Sequence, residues 1–169
     1  MNPTILRFAT AFGLSPRMRF DLTVSEFTLE LALGNKLLVY DAHTWRPYCH
    51  VKDFARLINI VIEAPKEKTS FNVFNAGGNI NNATKQMIVD LILENIPNGK
   101  VNYQEHGSDP RNYRVSFDKV KSVLGFEPKY TVQDGIQELV TAIKNHVFDH
   151  IDENRNLYGN YEISYPIPA

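Results

Sequence analysis

Two arginines set among aromatic and turn residues are the side chains of this sequence best suited to chemistry, and that chemistry is the holding of an anion. Arg46 stands in HTWRPYCHVKD, between Trp45 and Pro47, with Tyr48 just beyond. A guanidinium offers a planar fork that matches two oxygens of a phosphate or carboxylate at once. Arg111 stands in SDPRNYR, after the turn-forming pair Asp109-Pro110, with Arg114 three positions on. Taken alone, each could be an ordinary surface arginine: Arg46 beside a strand end and paired to Asp41 or Asp53, Arg111 paired to some nearby carboxylate. Other chemistries are poorly served. His43, Cys49 and His50 fit no common zinc spacing and bring no fourth ligand. A nucleophilic Cys49 would need a base and an electropositive setting that the sequence does not display. Asn79, Asn81 and Asn82 read as turn and cap residues, with contact to a ligand as the alternative. Gly77-Gly78 has neither the spacing nor the following helix of a dinucleotide-binding turn.

These residues must be positioned by an α/β chain. At 169 residues, 43% hydrophobic and 22% charged, the sequence has the size and composition of one globular domain with a real core. A net charge of -1 gives no reason to expect nucleic acid or an anionic membrane as partner. No apolar run is long enough to span a bilayer, and the start lacks the shape of a signal peptide. With a single cysteine, which suggests a reducing compartment, this points to the cytoplasm. The apolar run 4–10 reads as a buried strand, and Asp21 as the N-cap of a helix that ends at Gly34. KLLVY (36–40) is a short strand. Phe54, Leu57, Ile58, Val61 and Ile62 recur at helical spacing until Pro65. A strand over 71–78, a helix from Thr84 and a strand over 100–106 come next. Ser116 suits the cap of a helix closed by Gly125, and Thr131 with Asp134 forms a capping-box signature ahead of the final helix.

Four segments carry a resemblance: ILRFATAFGLSPRMRFDL, RPYCHVKDFARLI, FNVFNAGG and DPRNYRVSFDKVKSVLGFEP. Their order resembles the C-terminal half of extended short-chain dehydrogenase/reductase enzymes, and more narrowly the NAD-dependent epimerase/dehydratase group that acts on nucleotide-sugars. The likeness runs from the first residue to about Phe148. It implies an α/β fold, the C-terminal portion of a Rossmann-type doubly wound parallel sheet plus a smaller mixed α/β substrate-binding domain. On that reading residues 1–13 close the nucleotide-binding domain, 14–150 are mainly the substrate domain with returning Rossmann-side elements, and 151–169 form an irregular tail.

The resemblance also implies roles. Arg46 and Arg111 clamp the diphosphate of a nucleoside-diphosphate sugar, with Tyr48 and Trp45 directing Arg46 and Asp109 orienting Arg111 or meeting the ribose. Thr10 matches a polar substrate contact, and Phe8 a residue whose main chain passes the nicotinamide. Leu38, Val39 and Tyr40 match the lining of the base pocket. NAD or NADP belongs to the complete enzyme of this kind. The glycine-rich turn and the tyrosine–lysine pair used for proton transfer do not occur here, so the chain reads as part of a larger, homo-oligomeric enzyme that itself binds no dinucleotide. The alternative is a non-catalytic module of the same fold, for binding sugar nucleotides or for oligomerisation. Arg46, on this view, points to ligand, and its loss leaves thermal stability nearly unchanged. The first expected outcome is that the purified 169-residue protein turns over no nucleotide-sugar; measurable conversion in a coupled or chromatographic assay would refute it.

Overall fold

The computed structural model describes residues 2–107, 109–151 and 153–160; of the tail expected to be irregular, residues 161–169 lie outside the described residues. Strands β1 (Ile5–Phe8) and β2 (Thr10–Phe12) form one extended run broken at Ala9. Helix α1 (Thr23–Ala32), strand β3 (Lys36–Tyr40), strand β4 (Trp45–His50) and helix α2 (Val51–Glu63) follow, α2 continuing directly from β4. After the single turn α3 (Lys66–Thr69) come β5 (Val73–Ala76), a 3-10 turn at Asn79–Asn81, β6 (Asn82–Thr84), α4 (Lys85–Asn95) and β7 (Lys100–Gln104). Helices α5 (Asp118–Leu124) and α6 (Val132–Lys144) complete the order, ahead of a short 3-10 turn at Arg155–Tyr158. β1 pairs with β5, β2 with β4 and β3 with β7, all parallel, while β6 runs antiparallel to β4. The mixed α/β class and its parallel pairing agree with the sequence.

Two cores hold these elements. One gathers Val24, Phe27, Leu31, Val39, Tyr48, Ile88, Ile92 and Ile136 between α1, α4, α6 and the strands β3 and β4. The other gathers Leu57, Phe74, Phe117, Val120 and Phe126 around β5, α2 and α5. The strand β3 shows how the first core is read from the chain: its residues alternate exposed and buried, with Leu37 and Val39 inward. Among the described residues no helix is long and apolar enough to cross a membrane.

Several sequence expectations change here. The run 4–10 is not a buried strand: Ile5 and Phe8 are each about half exposed, because β1 pairs with β5 alone and no described strand lies along its other edge. Asp21 does not cap α1, whose N-cap is Leu22; its carboxylate is taken by the Arg19 side chain at 2.8 and 2.5 Å and by the Asn160 amide. Ser116 accepts from the Asp118 amide at 3.2 Å, one position outside the N-cap Phe117. The capping box of Thr131 and Asp134 is present as the spacing predicts.

The asparagine cluster proves to be a set of long-range ties. Asn79 receives the Phe117 amide and donates to Asp118, Asn81 bridges Tyr130 and Val132, and Asn82 makes a two-bond pairing with the backbone of Val115. A single carboxylate does the same for α2. Asp53, fully buried, accepts from the amides of Lys129 and Tyr130 and from the Arg56 guanidinium. Removing one member of such a buried charged set leaves the rest unmatched, at a cost of about 3–5 kcal/mol. Asp53→Ala is therefore expected to lower the urea midpoint sharply with little change in slope, as read by circular dichroism. A midpoint within experimental error of the parent would contradict this role.

Candidate anion-binding site

Strand β4 carries Arg46 in its first half, which pairs with β6 and sets Arg46 opposite Ala83, while its second half, from Tyr48 to His50, pairs with β2. The chain leaving β7 then folds back across the end of β4. Asp41, in a left-handed conformation at φ +48, accepts from the amides of His106 and Gly107 at 2.9 Å each and fixes the start of that return. Its far end is tied to β4 and β6: the Trp45 amide donates to the Asn112 side chain, the Tyr113 amide to the Trp45 carbonyl, and Val115 is held by Asn82 of β6. Asp109 and Arg111 lie between the two anchors and meet Arg46.

The resulting geometry is a carboxylate between two guanidiniums. Arg46 Nη2 donates to Asp109 Oδ2 at 2.9 Å. Arg111 grips the same carboxylate with its fork, Nε to Oδ1 at 2.8 Å and Nη2 to Oδ2 at 2.9 Å, and its amide adds a bond to Oδ1. Arg46 Nη1 donates to the carbonyls of Trp45 and Arg111. The Tyr113 ring lies 5.2 Å from the Arg46 guanidinium, and Arg114 covers Trp45 at 4.6 Å. The Arg111 side chain above all holds the Asp109 carboxyl well below the usual carboxylate range; burial opposes it, and the Arg111 amide and the Arg46 guanidinium add to the lowering. Asp109 in turn raises Arg111.

The structure thus brings Arg46, Asp109 and Arg111 together, with one revision. Arg46 does not reach outward from packing by Trp45 and Tyr48, nor does it pair with Asp41 or Asp53. It is 8% exposed and held by Asp109 and two carbonyls, so its loss costs stability as well as any ligand. Two further assignments need correction. Val39 and Tyr48 have no exposed surface and belong to the first core, so neither lines a pocket. The Tyr48 hydroxyl lies beside Thr23 without a hydrogen bond of good geometry, and burial pushes it up to about 12. Leu38 and Tyr40, on the opposite face of β3, are 41% exposed. Tyr40 stands against Gly107, at the head of the returning segment. Thr10 sits opposite Tyr48 in the β2–β4 ladder. Phe8 packs edge-on against Phe54 and lines a 290 Å³ cavity with Ala9, Pro47, Asn75, Tyr113 and Val115, which adjoins Arg46 through Pro47 and Tyr113.

Sequence reasoning missed Asn112 and Tyr113, whose signal is only their place beside Arg111 in RNYR. It also missed the set around His50. That imidazole is buried, accepts from the Lys52 amide at Nδ1 and donates from Nε2 to Glu138, which also binds the Lys52 ammonium and the Leu14 amide. Burial works against the Glu138 charge, but these bonds outweigh it and hold its carboxyl below the usual range. His43 is exposed near Glu105, far in character from this buried pair.

A dinucleotide is fitted only in part. The Phe8 edge and its cavity suit a flat ring, but Gly77 and Gly78 are packed against Phe117 and Pro128, whose atoms stand where a Cβ would be, at 2.7 and 2.3 Å. That turn is filled by side chains and offers no cradle for a pyrophosphate.

With this geometry in view, residues 1–77 match the model of the NAD dependent epimerase/dehydratase family. UDP-glucuronic acid decarboxylase 4 of Arabidopsis thaliana is 28% identical over 149 residues, 85% of this chain and 32% of that protein. A dTDP-glucose 4,6-dehydratase of an Actinoplanes species is 26% identical over 83% of this chain and 43% of its own length. Among solved structures, UDP-glucose 4-epimerase of Thermotoga maritima, determined with UDP-glucose, matches with a TM-score of 0.72 at 25% identity, over 87% of this chain and 47% of that one. The dTDP-glucose 4,6-dehydratase of Bacillus anthracis, determined with NAD, matches at 0.69 and 28%, over 85% and 45%. The chain spans less than half the length of these relatives.

One residue of the motif has a direct chemical test. Cys49 is fully buried, and burial first, with the Asp53 charge second, pushes its thiol up to about 12. At pH 8 the thiolate that reacts with disulfide reagents is therefore scarce as well as inaccessible. Ellman's reagent is expected to find no thiol in the native protein at pH 8 and one per chain after denaturation.

Proposed function

We propose that this chain forms the sugar-nucleotide grip of an NAD-dependent epimerase or dehydratase that works through a transient keto-sugar. The observation that carries the reading is the pair of arginines, 65 positions apart, converging on one carboxylate. A carboxylate gripped by the Arg111 fork and bonded by Arg46 marks a place shaped for doubly bonded oxyanions, and a diphosphate is the larger member of that class. Leu38 and Tyr40 offer exposed apolar surface at one end, suited to a nucleobase. Phe8 and its cavity lie at the other, toward Thr10, where a sugar extends from the second phosphate. Similarity to an epimerase solved with UDP-glucose supports the class of ligand.

In an enzyme of this kind the cofactor, when bound, takes a hydride from a hexose carbon and returns it. The residues of this chain contribute by fixing the nucleotide, so that binding energy remote from the sugar orients the reacting carbon. No residue here is assigned to proton transfer.

Calorimetric titration with UDP tests the reading. Arg46→Ala is expected to weaken binding by about 1.5–3 kcal/mol, the scale of hydrogen bonds to a charged group, and Arg46→Lys to restore only part of it, since an ammonium lacks the fork. Because Arg46 is buried and paired, the melting temperature of the alanine variant falls too. A lower melting temperature with unchanged affinity for UDP would end the phosphate reading.

A further inference from the structure

The Asp109 carboxylate takes up the donors that a phosphate would need. The whole Nε–Nη2 edge of Arg111 is spent on it, and Arg46 gives it the Nη2 that is not committed to a backbone carbonyl. A second anion cannot join these two guanidiniums on the same bonds. It would also stand against a carboxylate of like charge. Yet Arg46 is buried, and a buried guanidinium with no counter-charge is strongly unfavourable, so the free protein requires an anion at this place.

We propose that Asp109 is an internal stand-in for the ligand's phosphate, holding Arg46 and Arg111 together in the free protein and giving them up when a nucleoside diphosphate binds. The inference rests on the nucleotide reading above and adds to it how the site is kept and how it opens. The local architecture suits an exchange by side-chain rotation. The backbone is anchored before Asp109 by the bonds from His106 and Gly107 to Asp41, and after it by Asn112 and Tyr113 on Trp45. Pro110 further restricts the chain beside it. The Asp109 side chain is 38% exposed and that of Arg111 69%, so the carboxylate has water to turn into and the outer guanidinium is free to follow a ligand. The depressed titration of Asp109 keeps the stand-in charged wherever the protein is folded near neutral pH.

Exchange has a thermodynamic signature distinct from that of a fixed positioning residue. If Asp109 only oriented the arginines, its neutralisation would weaken ligand binding. If it competes, neutralisation removes a rival and binding tightens, while the free protein loses stability. UDP is titrated into the parent protein, Asp109→Asn and Arg46→Ala, each with a melting curve. Asp109→Asn is expected to bind UDP roughly tenfold tighter, to melt lower when free, and to gain more in melting temperature on adding UDP. Unchanged or weaker binding by Asp109→Asn, while Arg46→Ala loses affinity, overturns the exchange and leaves the nucleotide reading intact. Full affinity in Arg46→Ala, or no binding of UDP by any of the three, overturns that reading and the inference with it. A measurement on the parent protein covers a poorly folded variant: carbon NMR of the Asp109 carboxyl across an acid titration, free and saturated with UDP. Its midpoint rises toward the ordinary carboxylate range on saturation if the arginines leave it, and an unmoved midpoint refutes the exchange.

Discussion

The buried carboxylate of Asp53 is the contact on which the arrangement of this chain turns. It lies in the first turn of α2, seven positions after Arg46, on an element that runs without interruption from β4. Its oxygens receive the amides of Lys129 and Tyr130, and so fix the approach to α6. Tyr130 in turn stacks on His50 at 4.5 Å, and His50 reaches α6 through Glu138. One charge therefore aligns the strand that presents the arginine with the helix that backs the first core. The desolvation of that carboxylate is unfavourable and is offset only because every bond to it is made.

The same economy governs the returning segment between β7 and α5. Its described residues form no helix or strand, and their placement depends on side chains that stand in for a ladder: Asp41 at one end, Asn112 and Asn82 at the other. Such a segment can hold a defined position while leaving its middle adjustable, as a binding loop on a rigid scaffold must. The rigid partner is β4, paired to β6 in its first half and to β2 in its second, and buried along nearly its whole length. Arg46 stands buried on the paired strand and Arg111 exposed on the returning segment, so the two differ in setting although they share a partner.

How far this was legible in the sequence follows from the range of the forces involved. β3 could be read because one face is buried and the other is not, and alternation records that difference. The Thr131–Asp134 capping box could be read because its partners are three residues apart. Tyr48 and Val39 were misplaced for a physical reason: family likeness marks a segment, whereas the side that faces the core depends on pleat and register. β4 in particular is buried on both faces and has no alternation to betray its orientation. The apolar run at the start implied coverage, but composition cannot say which neighbouring strand supplies it. Asn79, Asn81 and Asn82 looked like local turn residues, since nothing in their spacing points to partners 33 to 51 positions away.

The half-open strand β1 carries a last consequence. The amides of Ile5 and Ala9 point to β5, donating to Asn72 and Ala76. In a parallel ladder neighbouring residues face opposite edges, so those of Leu6 and Phe8 point the other way, toward the side with no described strand. Protons on the two edges then live on different clocks, those toward β5 slow to exchange with solvent and those on the outer side quick. Any strand that came to lie along β1 would slow the quick ones first. The alternation along four residues is thus a built-in gauge of whether this sheet continues.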